Sequence, residues 1–322
     1  MEIAKVINPI NQFNQKKTSD DAFIVSNTKA VLLEQIRSDC IIPNFAKDNE
    51  STISHAEFIE AVADTVGHVF QNEEILYPVV RVSHPIKGRI PEAMGKPAKE
   101  LIPSEKTLYY ERMAFAIEIP SIRDTIMGND LSLVVGGVRA YNLENLYSRK
   151  SLERFKVFIG FKNLVCTNFC ISSDGFVGDL RISQPHEIVE AVFQLLAEFN
   201  VVKVIDSLTS LQHYGLTEKQ FAQVIGKMKM YQHLPKSLKP GIATNLLGDS
   251  QISTVVKDYY NDDSFCRDNE GYINLFNFYN LLTGANKSSY IDSFIDRNVS
   301  LLELSDGLRK GIVNPGTSWY LS

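Results

Sequence analysis

The hydrophobic pattern of the chain changes period twice. Between Ser54 and about Phe70, the apolar residues Phe58, Ile59, Val62, Val66 and Val69 recur at three-and-four spacing. Ser54 with Glu57 three residues on forms a capping box, so the spacing predicts a helix. From Tyr77 to Ser183 the period becomes two. Between Thr107 and Ile119, Tyr109, Met113, Phe115, Ile117 and Ile119 share one parity, while Tyr110, Arg112 and Glu118 take the other. That alternation predicts a half-buried strand. Between Arg154 and Ile171, the residues Phe155, Val157, Ile159, Phe161, Val165, Phe169 and Ile171 again share a parity, opposite Arg154, Lys156, Phe158 and Lys162. Asp174-Gly175 then predicts a hairpin turn into a strand from Phe176 to Ser183.

After Pro185 the helical period returns. Helices are predicted over Glu187 to Phe199, Glu218 to Met230, Gln251 to Tyr260, Ile273 to Leu282 and Ser289 to Leu308, the last opened by a capping box of Ser289 and Asp292. Strands followed by helices, without regular β-α-β alternation, imply an α+β fold. The sheet is expected to be largely antiparallel and twisted in the N-terminal and middle part, with a helical C-terminal part after it. The expected organisation is a polar tail over 1–20, then a β-rich domain over 21–184 with one N-terminal helix and a Pro/Gly-rich loop over 85–104. A helical domain, or a helical layer packed on the sheet, follows over 185–322.

Composition narrows the class. With 322 residues, 44% apolar and 22% charged, the chain has ample material for a core. No window approaches the roughly 18 apolar residues of a membrane span, and the N-terminus lacks the apolar stretch of a secretory signal. A soluble, cytoplasmic protein without a membrane partner is expected. The net charge is -5, which by itself disfavours nucleic acid. Residues 1–80 carry 6 Lys/Arg against 12 Asp/Glu, residues 81–163 carry 14 against 9, and residues 164–322 carry 13 against 17. A basic middle third therefore lies between two acidic ends, an asymmetry that bears on partners.

Candidate chemistry is mostly excluded by spacing. Cys166 and Cys170, placed on one strand, would have α-carbons about 13 Å apart, beyond the roughly 7 Å limit for a disulfide. Cys40 and Cys266 stand alone. The six histidines show no H-x-x-x-H or H-E-x-x-H spacing. The run Leu282 to Ser289 lacks both glycines of a phosphate loop, which would need them where Asn286 and Leu281 stand. Cys266 to Asn277 aligns with a calcium loop at Gly271, Asp268, Glu270 and Ile273 but has Cys266 and Asn277 at the first and twelfth positions, where carboxylates are required. Gly248-Asp249-Ser250 reads as a helix cap. No catalytic residue, cofactor or metal site is expected.

Two surfaces remain. Arg154, Lys156, Phe158 and Lys162 line one face of a strand, with Arg139 and Tyr141 on the preceding strand and Tyr110 and Arg112 on another. Cations among rings on an open sheet face can hold single-stranded nucleic acid, since cations neutralise phosphates and rings stack on bases; a solvated sheet face has the same composition. The second surface runs from Lys219 to Lys239 through Lys227, Lys229, His233 and Lys236, with no acidic residue from Lys219 to Leu247.

The runs Leu133 to Gly175 and Ile273 to Ser300 resemble an uncharacterised conserved family carried on bacterial conjugative transposons and prophages. That family is similar in layout to the phage/plasmid-like proteins, which pair a Val-Cys-Thr-Asn strand with a later Tyr-Asn-x-x-Thr helix. The matching residues are Val165, Cys166, Thr167 and Asn168, then Tyr279, Asn280 and Thr283. The resemblance implies a mobile-element context and no particular activity.

Together these readings give an expected function: a non-catalytic, DNA-associated accessory protein binding single-stranded DNA. The interface would comprise Arg112, Arg139, Tyr141, Arg154, Lys156, Phe158 and Lys162 on the sheet, with Lys227 and Lys229 beyond it. One alternative is a protein-binding inhibitor of a host restriction or defence system, presenting the acidic ends. A second is an enzyme whose dispersed metal site would draw on Asp262, Asp263, Asp268 and Glu270.

Overall fold

The computed structural model describes residues 22–39, 53–144 and 152–322. Its elements, in chain order, are β1 (Lys29–Val31), α1 (Leu33–Asp39), α2 (His55–Val69), β2 (Val79–Val82), β3 (Pro85–Arg89), β4 (Lys106–Tyr110), β5 (Arg112–Ile126), β6 (Asn129–Ala140), β7 (Glu153–Asn163), β8 (Phe169–Cys170), β9 (Phe176–Ile182), α3 (Pro185–Glu198), α4 (Val201–Leu211), β10 (Gly215–Leu216), α5 (Glu218–His233), α6 (Asp249–Asn261), β11 (Ile273–Asn274), α7 (Leu275–Asn286) and α8 (Ile291–Val313). This is an α+β fold, its sheet antiparallel in every pair and its helices concentrated toward the C-terminus.

The main sheet runs β1-β2-β5-β6-β7-β8, and β9 also pairs with β7. Both of its faces are covered. On one, Met113, Phe115, Ile117, Val135, Phe155, Val157 and Ile159 join Phe58, Ile59 and Val62 of α2 and the apolar sides of α3 to α7 in one continuous core. On the other, Ala114, Ala116, Val134, Val138 and Phe158 lie under Phe294, Ile295 and Val299 of α8, with Phe23 and Ile24 beside them. Two adjacent glycines make this two-sided packing possible. A β-carbon on Gly136 would lie 2.6 Å from the Phe158 ring, and one on Gly137 would lie 2.4 Å from the Phe58 ring. Each glycine thus leaves room for the tip of a ring against the central strand.

Several local expectations are corrected. The predicted strand over 107–119 is two strands that part at Glu111: β4 pairs with β3 in a separate ribbon, and β5 enters the main sheet. The expected loop over 85–104 therefore begins as β3, followed by short turns at Pro91–Ala93, Ala98–Glu100 and Pro103–Glu105. The predicted strand over 154–171 also breaks. After Asn163 the chain turns back, with Thr167 at φ +57°, and β8 returns along β7, pairing Cys170 with Phe161. A β-branched residue in the left-handed region is strained and must be held by its surroundings. The Asp174-Gly175 turn leads β9 back beside β7 rather than beside β8. Helix α8 starts at Ile291 and not at Ser289, whose hydroxyl is buried and donates to Asn286 Oδ1 at 2.7 Å. The helix over Ser54 to Phe70 forms as expected: Ser54 Oγ accepts from Glu57 N at 3.0 Å and Glu57 Oε2 accepts from Ser54 N at 2.6 Å.

Beyond the sheet, two helix-strand-helix units, α4-β10-α5 and α6-β11-α7, are joined where Leu216 pairs with Ile273. Each short strand runs straight into a capped helix, at Thr217 and Asn274. Stacking of Phe221 on Tyr259, 3.9 Å between ring centres and 16° between planes, packs α5 on α6. One side of α5 is committed to the core by this pairing, and the other faces outward.

Candidate nucleic-acid interface

The cations expected on one open sheet face are held in quite different settings. Register decides the first correction. Arg139 pairs across the sheet with Met113 and Phe155, so it points to the face under α2, whereas Lys156 and Phe158 lie opposite Val138 and Gly136 on the α8 face. The Arg139 side chain is fully buried. Its Nη2 donates to Glu153 Oε2 at 2.6 Å and its Nε to Glu144 Oε1 at 3.1 Å, while the guanidinium lies 4.5 Å from the Tyr141 ring centre and 4.4 Å from that of Phe155. Tyr141 lies past the end of β6 in a short turn, buried, with its ring 4.7 Å from that of His55. Phe158 is buried beneath α8 and packs on Phe169. The physical reason is shared: a sheet this apolar on both sides must be covered twice.

The remaining four cations of the expected interface, Arg112, Arg154, Lys156 and Lys162, each pair with a carboxylate. Arg112 meets Glu111 at 3.2 Å and Asp292 at 3.5 Å. Lys156 bonds Asp296 and donates to the Asp292 carbonyl at 2.7 Å. Lys162 meets Glu118 at 3.0 Å, and Arg154 meets Asp179 at 2.8 Å. Helix α8 thus brings both the apolar lid and two of the countercharges. Two clefts carry cations. One of about 460 Å³ is lined by His84, Arg112 and Tyr290. Another of about 380 Å³ contains Lys203 beside Asp174 and Lys310 beside Asp306.

The surface over 219–239 is built otherwise. Phe221, Val224, Ile225, Met228 and Tyr231 form the buried stripe of α5, and Lys219, Lys229 and His233 fall on its exposed side. The segment after α5 is strapped back to it: Asn245 Nδ2 donates to the Met228 carbonyl at 2.9 Å and Gln232 Nε2 to the Leu247 carbonyl at 3.0 Å. Lys236 and Lys239 are thereby placed beside the end of α5. None of Lys219, Lys227, Lys229, Lys236 and Lys239 is within ion-pair distance of a carboxylate among the described residues. Two of them instead sit over rings. Lys227 Nζ lies 4.5 Å from the Trp319 ring centre and Lys239 Nζ 4.6 Å from that of Tyr231.

Trp319 carries no signal in the pattern of the sequence. It reaches α5 because the C-terminal turn folds back: Tyr320 Oη donates to the Ala243 carbonyl at 2.7 Å, and Gln223 Nε2 to the Ser322 backbone oxygen at 3.0 Å. Spacing arguments see neighbours along one element, and this is a contact between three. The single tryptophan of the chain was the one cue available.

The motif residues of the resemblance do meet. Asn168 Nδ2 donates to the Asn280 carbonyl at 3.0 Å, Asn163 Nδ2 to Asn280 Oδ1 at 3.2 Å, and Thr283 Oγ1 to the Tyr279 carbonyl at 3.0 Å. Lys287 Nζ reaches Thr167 Oγ1 at 2.8 Å and bonds the Cys166 carbonyl. These bonds hold the strained β7-β8 turn against α7, so the paired motifs have a structural task. Cys170 is buried there, and desolvation pushes its thiol up to about 12; Cys166 is shifted upward for the same reason. Both are free thiols, and Cys40 lies outside the described residues.

In the loop before β11, Asp262 Oδ1 accepts from Ser264 N and Phe265 N, and Asp268 Oδ1 accepts from Glu270 N and Tyr272 N. These carboxylates shape turns, and Gly271 takes φ +83° between them. Among the described residues, no three His, Cys, Asp or Glu side chains are grouped to hold a metal. Among the same residues, no helix is long and apolar enough to cross a membrane.

The model of one protein family, described as "Domain of unknown function, B. Theta Gene description (DUF3871)", matches residues 2–321, and the chain belongs to that family. No curated protein and no solved structure matches it.

Proposed function

We propose that this protein is a non-catalytic, DNA-associated accessory protein that binds single-stranded DNA through the exposed side of α5 and the segment that follows it. The observation that carries the reading is five lysines on α5 and the segment after it with no carboxylate partner among the described residues, two of them set against aromatic rings. Exposed ammonium groups whose charge no neighbouring carboxylate cancels attract a polyanion, and binding releases the counterions condensed on it. The paired cations of the sheet contribute far less, because their fields are cancelled within 3 to 4 Å. The resemblance of the Leu133 to Gly175 and Ile273 to Ser300 runs to proteins of conjugative transposons and prophages supports a place beside DNA transfer or recombination in a bacterial cytoplasm.

The test is anisotropy of a labelled oligothymidylate of about 16 nucleotides, titrated at low and physiological salt. Binding should weaken steeply with salt, and Lys227→Glu with Lys229→Glu should weaken it at least about tenfold at low salt. Absence of binding by the unaltered protein at low salt removes the reading. Binding that survives the double substitution moves it off α5.

A further inference from the structure

We infer that Trp319 is the base-stacking platform of this interface, which makes its ligand the unpaired strand in particular rather than nucleic acid in general. The inference rests on the reading just given and deepens it.

Three features of the ring carry it. Trp319 packs against the edge of the core yet stays partly exposed, while its neighbours Ser318 and Tyr320 are buried, so the turn leaves part of the indole open to solvent. Tyr231 and Tyr320 meet it at steep angles, 66° with 6.5 Å between centres and 82° with 5.2 Å, so neither phenol lies flat on the indole. The cover on its face is an ammonium group, Lys227 Nζ at 4.5 Å. A lysine over a partly exposed ring is held weakly and is strongly hydrated, whereas a nucleobase stacked on the same ring gains more. Exchange is therefore downhill. An arriving base displaces the ammonium, and Lys227, on a flexible stem, moves to the adjoining phosphate. Lys239, over the Tyr231 ring beside the indole, can follow the backbone on the same side, and Lys229 extends the positive field from the other flank of α5.

A base inside a duplex offers no free face, so this arrangement discriminates by pairing state. It does so without reading sequence, because every base has a π-face.

The chain contains one tryptophan, so emission excited at the red edge of the indole band, where tyrosine does not absorb, reports on this ring alone. Titration with unlabelled oligothymidylate of about 16 nucleotides should quench and shift that emission with the same midpoint that anisotropy gives, while a blunt duplex of equal length should leave it nearly unchanged. Trp319→Phe should keep part of the affinity and Trp319→Ala should lose about tenfold, with thermal melting confirming that each remains folded. If anisotropy shows binding but the emission is unmoved and Trp319→Ala binds like the unaltered protein, the stacking inference is overturned and the α5 reading stands. Equal quenching by duplex and single strand overturns the selectivity. No anisotropy change at all removes the underlying reading.

Discussion

The sheet face and the α5 surface carry similar numbers of cations and aromatic rings, yet they are opposites. On the sheet, Arg112, Arg139, Arg154, Lys156 and Lys162 each meet a carboxylate, supplied from as far away as Asp292 and Asp296 on α8. On α5, Lys219, Lys227 and Lys229 meet none among the described residues. The charge of a segment is a property of sequence, but whether that charge faces outward depends on what the fold lays over it. The lesson is that a basic stretch is informative when its apolar parity is exhausted by one layer of partners. β5 to β7 have two apolar faces and need two layers; α5 has one stripe and one layer.

The largest expected effect lies in the buried pairings under α2. Arg139→Met leaves Glu144 and Glu153 desolvated beside each other with their shared cation gone, and removing one partner of a buried ion cluster costs about 3 to 5 kcal/mol. The urea midpoint should fall accordingly. A loss below about 1 kcal/mol would place Arg139 at the surface after all. Phe294→Ala tests the other cover. Phe294, on the buried side of α8, packs against Phe23 and Phe169, and truncating a buried Phe costs about 3 to 5 kcal/mol. An open sheet face predicts almost no change, so the two alternatives are well separated.

Burial beside Arg139 also sets a pH dependence. His55 is fully buried, its Nε2 2.8 Å from the Tyr110 carbonyl, and desolvation, reinforced by the Arg139 charge, lowers its pKa to about 3 from 6.5. Between those values the unfolded chain binds a proton that the folded chain does not. Its contribution is therefore intact above pH 6.5 and is lost as pH falls, at up to about 1.4 kcal/mol per unit. Stability of the unaltered protein should fall more steeply from pH 6.5 to 4.5 than that of His55→Gln, measured by urea unfolding at each pH. Parallel slopes would mean that His55 is protonated in the fold.

These elements also show what was legible in the chain. Period alone located α2, α5 and the strand-rich middle, because each has one dominant apolar stripe. It could not find the break at Glu111, where Tyr109 and Tyr110 are both buried and parity ceases to mean inside and outside. It missed the turn after Asn163 because Thr167 adopts its left-handed geometry through bonds to Lys287 and the neighbouring network, which lie more than a hundred residues on. The candidate interface was half visible. Lys227 and Lys229 stood out by the absence of acids around them, whereas Phe158 looked outward only because α8 was not yet there to cover it.

The smallest effect is the one that separates the two regions most cleanly. Lys162 and Glu118 are each about four-fifths buried and 3.0 Å apart, with Glu118 also accepting from Ser132 Oγ at 2.8 Å. A double-mutant cycle of Lys162→Met and Glu118→Gln should give a coupling of about 0.5 to 1 kcal/mol in stability and no change in oligonucleotide affinity. Lys229→Met should do the reverse, shifting stability by less than about 0.5 kcal/mol while lowering the salt slope of binding by about one counterion. If both substitutions altered affinity alike, the carboxylate pairing would not be what silences the sheet, and the contrast between the regions would have to be sought in shape instead of charge.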